Sequence, residues 1–409
     1  MKGNDLAACL VIALGVGGTI IGSLLAPVNE PVTLPAVNPQ PVMMETPAPE
    51  PTTTPEPTPE PTPTVETVHF SATGDDLIHD GIFLQAKERG GDHYDFDAAY
   101  AAMQGYYDQF DVNWLNQETL VNDEFAASGY PMFSTPGATD TLYNLGFRVF
   151  SLSNNHSYDK GAAGIEASMA HWAAMPDDVV TMGFYNLSTY DDYVYQTVNG
   201  ITFGYLSYTE HTNGLPTPSG TDYGVVYLDD HETIAKQQIT DMRPNCDVLI
   251  VSAHMGTEGT HEINDFQKQT AQWLADQGVD VIIGTHPHTV QAIEYDELAG
   301  TLVAYSLGDF FGDASRGGTN YSIILDLEIT KDSSTGTTKV TNYSYTPIYT
   351  VSEVETADGY RRVVRIDKTV EAWGENYLDK VSQSAKESMV YALERIEARI
   401  NPPVEEKKK

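Results

Sequence analysis

A chain of 409 residues, 41% hydrophobic and with 24 tyrosines, has enough apolar mass for one large domain or two modest ones plus extensions. Its 58 acidic residues against 22 basic ones give a formal charge of −36. That balance argues against a nucleic-acid binder and predicts that a long polyanion is repelled unless bound cations offset the charge locally. The two cysteines, Cys9 and Cys246, exclude a disulfide framework and a thiolate zinc site, so any metal must be held by His, Asp, Glu and Asn.

The first element in chain order is Leu6 to Ala26, an uncharged run of a length that crosses a bilayer, for which about 20 apolar residues suffice. Pro27 is a poor cleavage context, so residues 1–26 are expected to be an uncleaved signal anchor, a single transmembrane helix. Residues 27–66, with "ETPAPEPTTTPEPTPEPTPTVE", have almost nothing to bury and read as a disordered Pro/Thr/Glu linker, extended and solvated. An anchor followed by a proline stalk predicts a single-pass protein of the cell membrane, with its body outside the cytoplasm on the cell-wall side. The body is expected over 67–370, followed by a C-terminal helix and charged tail over 371–409.

Within the body, apolar runs at 68–74, 111–118, 147–156, 201–208, 247–254, 279–288 and 302–310 predict strands. Helix-like spacing lies between them at 94–109, 159–174, 230–242 and 262–277. Residues 313–370 are strand-rich, and the segment from about 370 to 400 reads as an amphipathic helix. Alternating strands and helices imply an α/β layered fold with a mostly parallel sheet.

The polar residues fall where such a sheet binds ligands. Asp75, Glu118, Asn155, His156, His254, His286 and His288 each follow a predicted strand, and the carboxyl ends of strands form the ligand crevice of open α/β sheets. Each motif also has a bland reading. "TGDDLIH" can be a simple turn, or it can offer Asp75 as a terminal metal ligand with His79 as a second donor. "NWLNQET" can cap a helix with Asn116 or Glu118, or Glu118 can bridge two ions through its two oxygens. "SNNHSYDKG" offers Asn155 as a neutral ligand, His156 as a general acid and Asp159 as the carboxylate that orients it. A lone His254 in "VSAHMGTEG" is more often structural than ligating. "GTHPH" is the most specific motif, because an extended His-Pro-His segment turns both rings to one side. Together these donors suit two divalent ions. His69, His93, His171, His231 and His261 read as surface or satisfied-core residues, and His211 stands close to the strand-end edge.

"ATGDDLIH", "NWLNQETLV", "YPMFSTP", "FSLSNNHSYDKG", "SYTEHTNG", "VSAHMGTE", "GVDVIIGTHPHTVQ" and "YSLGDF" occur in the order expected of the CapA family. Those capsule-synthesis proteins are linked to poly-γ-glutamate and resemble the calcineurin-like metallophosphoesterases. The resemblance covers about Val68 to Phe311. It implies an α/β/β/α sandwich with two divalent metals, Mn, Zn or Fe. Asp75 and His288 would serve one metal, Asn155, His254 and His286 the other, with Glu118 bridging and His156 as the catalytic histidine. Two departures stand out: Leu77 occupies the place of a metallophosphoesterase histidine, and Asp309 that of a neutral amide. The expected partners are an anionic polymer or a phosphoester substrate, and membrane partners of a capsule-synthesis complex. The expected function is a membrane-anchored extracytoplasmic protein of capsule or poly-γ-glutamate synthesis with a dinuclear metal site; the alternatives are a metal-dependent phosphoesterase unrelated to capsule and a non-catalytic polymer-binding or export component.

Overall fold

A computed structural model describes residues 64–230, 232–296, 298–313, 317–366 and 381–400. The expected anchor (1–26), almost all of the linker and the charged tail lie outside these residues. Among the described residues no helix is long and apolar enough to cross a membrane.

The body opens on β1 (Val65–Asp76) and α1 (Asp80–Gly90), followed by β2 (Val112–Asn116), α2 (Thr139–Leu145), β3 (Val149–Ser151), α3 (Gly161–Ala174) and β4 (Val180–Met182). A second run holds β5 (Val194–Val198), β6 (Ile201–Thr209), α4 (Ile234–Met242), β7 (Val248–His254), α5 (Asp265–Asp276), β8 (Val281–Thr285), β9 (Ile293–Asp296) and β10 (Thr301–Ala304). The chain then returns through β11 (Asp309–Phe311), β12 (Tyr321–Asp332), β13 (Thr337–Val351), β14 (Arg362–Arg365) and α6 (Gln383–Ile400).

Two sheets result. The first has the order β14-β13-β12-β1-β2-β3-β4, with β11 paired to the end of β1; the second has the order β9-β10-β8-β7-β6-β5. Strands β1 to β4 run parallel, as do β6, β7, β8 and β10. The strand alternation decides how the sheets stack. Val68, Phe70, Ala72, Val112 and Trp114 of the first sheet share one apolar cluster with Phe203, Tyr205, Val248, Ile250, Val281 and Ile283 of the second. Phe70 and Phe203 stack across the interface with ring centroids 5.9 Å apart. The opposite faces are covered by helices: Ile82 and Leu142 close over Leu115 and Phe150, while Ile239 and Leu274 close over Leu249 and Ile282. The expected α/β/β/α layering is therefore observed.

Two expectations need correction. The helix predicted over 94–109 is a single turn, Asp97–Tyr100, followed by two 3-10 turns. Phe96, Ala99, Tyr100, Met103, Tyr106 and Tyr107 are buried, but Gly105 at φ 73° interrupts the coil. The strand predicted over 302–310 is two strands in different sheets, β10 and β11, because the chain crosses between the sheets at 305–308. Gly308 makes that crossing at φ 79°. Of the helix expected over about 370–400, residues up to 380 lie outside the described residues, and α6 runs from Gln383 to Ile400. Its buried stripe of Ala385, Met389, Ala392, Ile396 and Ile400 joins the core between the sheets.

Gly74 is the tightest point of this frame: a Cβ there would lie 1.8 Å from the Gly308 carbonyl oxygen, where β1 meets β11. Gly74→Ala is expected to lower stability by at least about 2 kcal/mol through forced backbone displacement. Urea denaturation followed by circular dichroism measures the loss, and an unchanged midpoint would refute the close approach.

Candidate metal centre

All parallel strands of both sheets deliver their carboxyl ends to one rim. Along the inward faces the side chains change from apolar to polar as that rim is approached. Val149 gives way to Ser151, Phe203 and Tyr205 to Ser207, and Val248 and Ile250 to Ser252. Ser151 bridges the two sheets, with its hydroxyl 2.7 Å from Ser207 and 3.0 Å from Ser252. Beyond this layer stand Asp75, Glu118, Asn155, His156, His254, His286 and His288, all buried.

The donors gather in two groups that share one residue. Glu118, His254 and His286 form one, and Asp75, Glu118 and His288 the other; the ligand atoms within each group lie within 4.8 Å of one another. In the first, Asn155 Oδ1 is 2.9 Å from His254 Nε2, which is 3.1 Å from His286 Nδ1 and 3.6 Å from Glu118 Oε1. The Asn155 amide donates to Asn213 (3.3 Å), which leaves its carbonyl oxygen facing the histidines. His254 Nδ1 bonds Thr285 Oγ1 at 2.9 Å, which aims Nε2 at the same point. In the second group, His288 Nδ1 is 3.5 Å from Asp75 Oδ2 and its Nε2 is 3.8 Å from Glu118 Oε1. Asp75 receives the Asn116 amide (2.7 Å) on one oxygen and the His286 N–H (3.1 Å) on the other, so the second sheet is tied to the first at the rim.

The His-Pro-His segment departs from the sequence expectation. It is not extended: β8 ends at Thr285, and His286 and His288 adopt φ values of 95° and 59°. Non-glycine residues reach that region only when their surroundings compel it, and such strain gathers at functional sites. The two rings nevertheless converge, with centroids 6.2 Å apart. His79 stands outside both donor groups. Its Nδ1 bonds the Leu77 carbonyl oxygen at 2.9 Å and its ring meets Phe133 at 4.9 Å. His211 packs on His286 at 4.9 Å.

His156 and Asp159 are joined, Nδ1 to Oδ2, at 2.8 Å, and the same carboxylate oxygen accepts the Phe133 N–H. Phe133 also meets the His156 ring edge-on at 4.6 Å. The rim opens into a cleft of about 620 Å³ lined by His156, His288, Tyr130, Phe133, Glu258 and Asp313, among others. Asp309, read in the sequence as a departure from a neutral amide, and Asn116, read there as a possible helix cap, both contact residues of the donor groups. Asp309 Oδ1 lies 2.7 Å from His288 Nδ1. Asn116 could have been found by alternation, since it shares the inward face of β2 with Val112 and Trp114.

Burial dominates the electrostatics. Desolvation raises the Glu118 carboxyl well above its usual value, against the attraction of His288, and raises Asp75 to about 6. Burial pushes His254 and His286 well below the ordinary imidazole value, and neighbouring histidines add to the shift. Burial also acts to lower His288, but Glu118, Asp309 and Asp75 outweigh it and hold its pKa well above normal.

These features test the fit to metal ions. Neither oxygen of Glu118 has a hydrogen-bond partner, although both are fully buried. Amide oxygen, carboxylates and neutral imidazoles converge on the same small volume, an arrangement of lone pairs that only a proton or a cation can relieve. The residues fit divalent ions of the imidazole- and carboxylate-preferring kind.

A four-layer α/β body with two adjoining groups of metal-ligand side chains at one rim is the class that fold and site define. A family model described as "Bacterial capsule synthesis protein PGA_cap" matches residues 69–314. The chain belongs to that family. It is 31% identical over 201 residues to "PGA biosynthesis protein CapA" of Bacillus subtilis (strain 168), covering 49% of this chain and 51% of that protein. It is 28% identical over 187 residues to "Capsule biosynthesis protein CapA" of Bacillus anthracis, covering 45% and 44%. The chain spans about half the length of these curated relatives. Among solved structures, calcineurin-like phosphoesterase YfkN from Bacillus subtilis aligns with a TM-score of 0.42 at 15% identity, over 81% of this chain and 100% of that one. A 5'-nucleotidase precursor from Thermus thermophilus aligns with a TM-score of 0.41 at 16% identity, over 81% and 59%.

Glu118 and His288 have pKa values raised above their ordinary ones, so protons compete with a cation for these groups and affinity should rise with pH. Titration calorimetry with Mn²⁺ or Zn²⁺ at pH 7, in two buffers of different ionisation enthalpy, is expected to report net proton release. Equal heats in the two buffers would contradict it.

Proposed function

We propose that this chain is a membrane-anchored, extracytoplasmic CapA-like protein of capsule or poly-γ-glutamate synthesis, whose rim holds two divalent ions in the manner of the metallophosphoesterases. One observation carries the reading: Glu118, fully buried and without a hydrogen-bond partner on either oxygen, is common to both donor groups. Asp75 and His288 would hold one ion, Asn155, His254 and His286 the other, and Glu118 would stand between them. Asp309, already bonded to His288, would orient that imidazole. Support for the anchor comes from the uncharged run Leu6–Ala26 and the Pro/Thr/Glu stalk behind it.

When bound, two such ions supply Lewis acidity, neutralising charge on phosphoryl or carboxylate oxygens and lowering the pKa of water. The chain's own contribution is position and a proton. His156 lines the cleft with Nδ1 committed to Asp159, which leaves Nε2 to deliver a proton to a leaving oxygen. The Asp159 carboxylate fixes the ring, and Phe133 buttresses both. Phosphoester hydrolysis is the reaction that this set of groups suits best.

A second reading, a binding component for a carboxylate polymer with no hydrolysis, is favoured by the acidic lining of the cleft. Glu258, Asp309 and Asp313 would repel a polyanion unless cations bridge the two. On that reading polymer binding disappears with chelator and the role in capsule formation requires the anchor. An anchorless chain that fully restores capsule formation in a deletion strain counts against it.

Elemental analysis of the purified full chain after loading with Mn²⁺ or Zn²⁺ tests the shared premise. Two equivalents are expected, with Glu118→Ala and His286→Ala weakening retention by about 10-fold or more. His156→Ala should retain both ions and lower the turnover of a model phosphodiester by about 10²-fold or more. Wild-type chain that holds no more metal than Glu118→Ala overturns the proposal. Full metal content with no phosphoester cleavage selects the binding reading.

A further inference from the structure

A second groove, of about 410 Å³, lies between α6 and the start of β12. Its composition is the reverse of the metal cleft. Arg395, Arg399, His261, Ser388, Tyr321 and Tyr391 line it, and among the described residues no carboxylate does. In a chain with 58 acidic and 22 basic residues, two guanidinium groups facing one groove depart from the general charge.

The helix builds this wall by its period. Ser388, Tyr391, Arg395 and Arg399 are three or four residues apart and form a stripe beside the buried one that fixes α6 to the core. Arg395 lies over the Tyr391 ring at 4.7 Å. That stacking occupies one face of the guanidinium and leaves its N–H edge for a planar oxyanion. Among the described residues Arg395 forms no ion pair, and Arg399 meets only Glu262, at 3.6 Å and with the carboxylate 87% exposed. Such a surface pair is weak and easily exchanged. The facing wall is rigid: His261 stacks on Tyr321 with centroids 6.0 Å apart, and its Nδ1 bonds the Val290 carbonyl oxygen at 2.8 Å.

The groove adjoins the rim. Thr319 lines the metal cleft, while its neighbours Gly318 and Asn320 line the groove; likewise Glu258 faces the cleft and His261 the groove. The segment 317–320 is therefore a wall that cleft and groove share.

We propose that this groove is a second binding site for the carboxylates of an extended acidic chain, gripped by Arg395 and Arg399 and leading into the metal cleft. Two forks one helical turn apart, about 6 Å along the axis, suit successive carboxylates rather than one phosphate held at a single point. The inference rests on the polymer reading of the cleft, but the arginine contacts themselves require no metal.

The test is fluorescence anisotropy with a labelled decamer of γ-linked glutamate, using the full chain in detergent, with metal content measured on the same samples. Arg395→Ala/Arg399→Ala is expected to weaken binding at least about tenfold, as loss of charge-assisted hydrogen bonds to an ionised acceptor requires. Metal content should not change. Arg395→Lys/Arg399→Lys should recover only part of the loss, since charge returns without the fork. Wild-type chain stripped with EDTA should still bind the decamer, more weakly, and the double alanine variant so stripped should bind none. Unchanged affinity in the double alanine variant overturns the proposal, as does complete loss of binding on chelation of the wild type. Displacement of the decamer by inorganic phosphate at equal concentration also overturns it, assigning the groove to single phosphates. A chain that holds no metal but binds the decamer through the arginines would sink the metal-centre reading alone.

Discussion

The structure turns on a carboxylate with nothing to bind. Glu118 is fully buried, both of its oxygens lack donors, and the histidine nitrogens beside it stand at 3.6 and 3.8 Å. An ionised carboxylate in such a place costs several kcal/mol of desolvation unless a positive partner is present. Two responses are built in. Protonation is favoured, as the raised pKa values of Glu118 and Asp75 record. The alternative is a cation, and the lone pairs of Asp75, Asn155, His254 and His286 around Glu118 suit that second response.

Everything around Glu118 serves to keep the donors in place. The two sheets face each other through an apolar core that becomes polar only near the strand ends, where Ser151, Ser207 and Ser252 link the layers. The His286 N–H to Asp75 bond then ties the rims together. The strained backbone of His286 and His288 is held by packing on all sides, both residues being buried. Rigid scaffolding of this kind is what a site needs if it is to bind ions without rearranging. The same frame gives the chain two faces of opposite charge close together, an acidic cleft and a groove lined by arginines.

The charge of −36 has a local consequence as well as a global one. An acidic ligand meets repulsion over most of this surface, so attraction must be concentrated where cations are held, whether metal ions or guanidinium groups. The inferred groove and the proposed metal cleft are two solutions to that one problem.

How much of this was legible follows from the range of each interaction. The strand at 247–254 carries a nearly continuous apolar run and that at 68–74 alternates Val68, Phe70 and Ala72 with polar residues, and both patterns write themselves plainly into sequence. The polar residues closing each run marked the rim, because a buried run ending in His or Asp has few packing uses. The break of 302–310 into two strands was not legible, since a change of sheet depends on where the neighbouring layer lies and not on local propensity. Nor was the twisted backbone of His286-Pro287-His288, which long-range packing imposes against the preference of the residues. Asp309 and Asn116 acquired partners only when strands distant in sequence met. The residue types, their order and their strand-end positions were thus determined by the sequence itself, because alternation and hydrophobic runs are local. Which donors share Glu118, which way each imidazole points, and that arginines of the last helix stand beside the rim were decided by tertiary structure alone. Those relations exist only between segments that the folded core brings together.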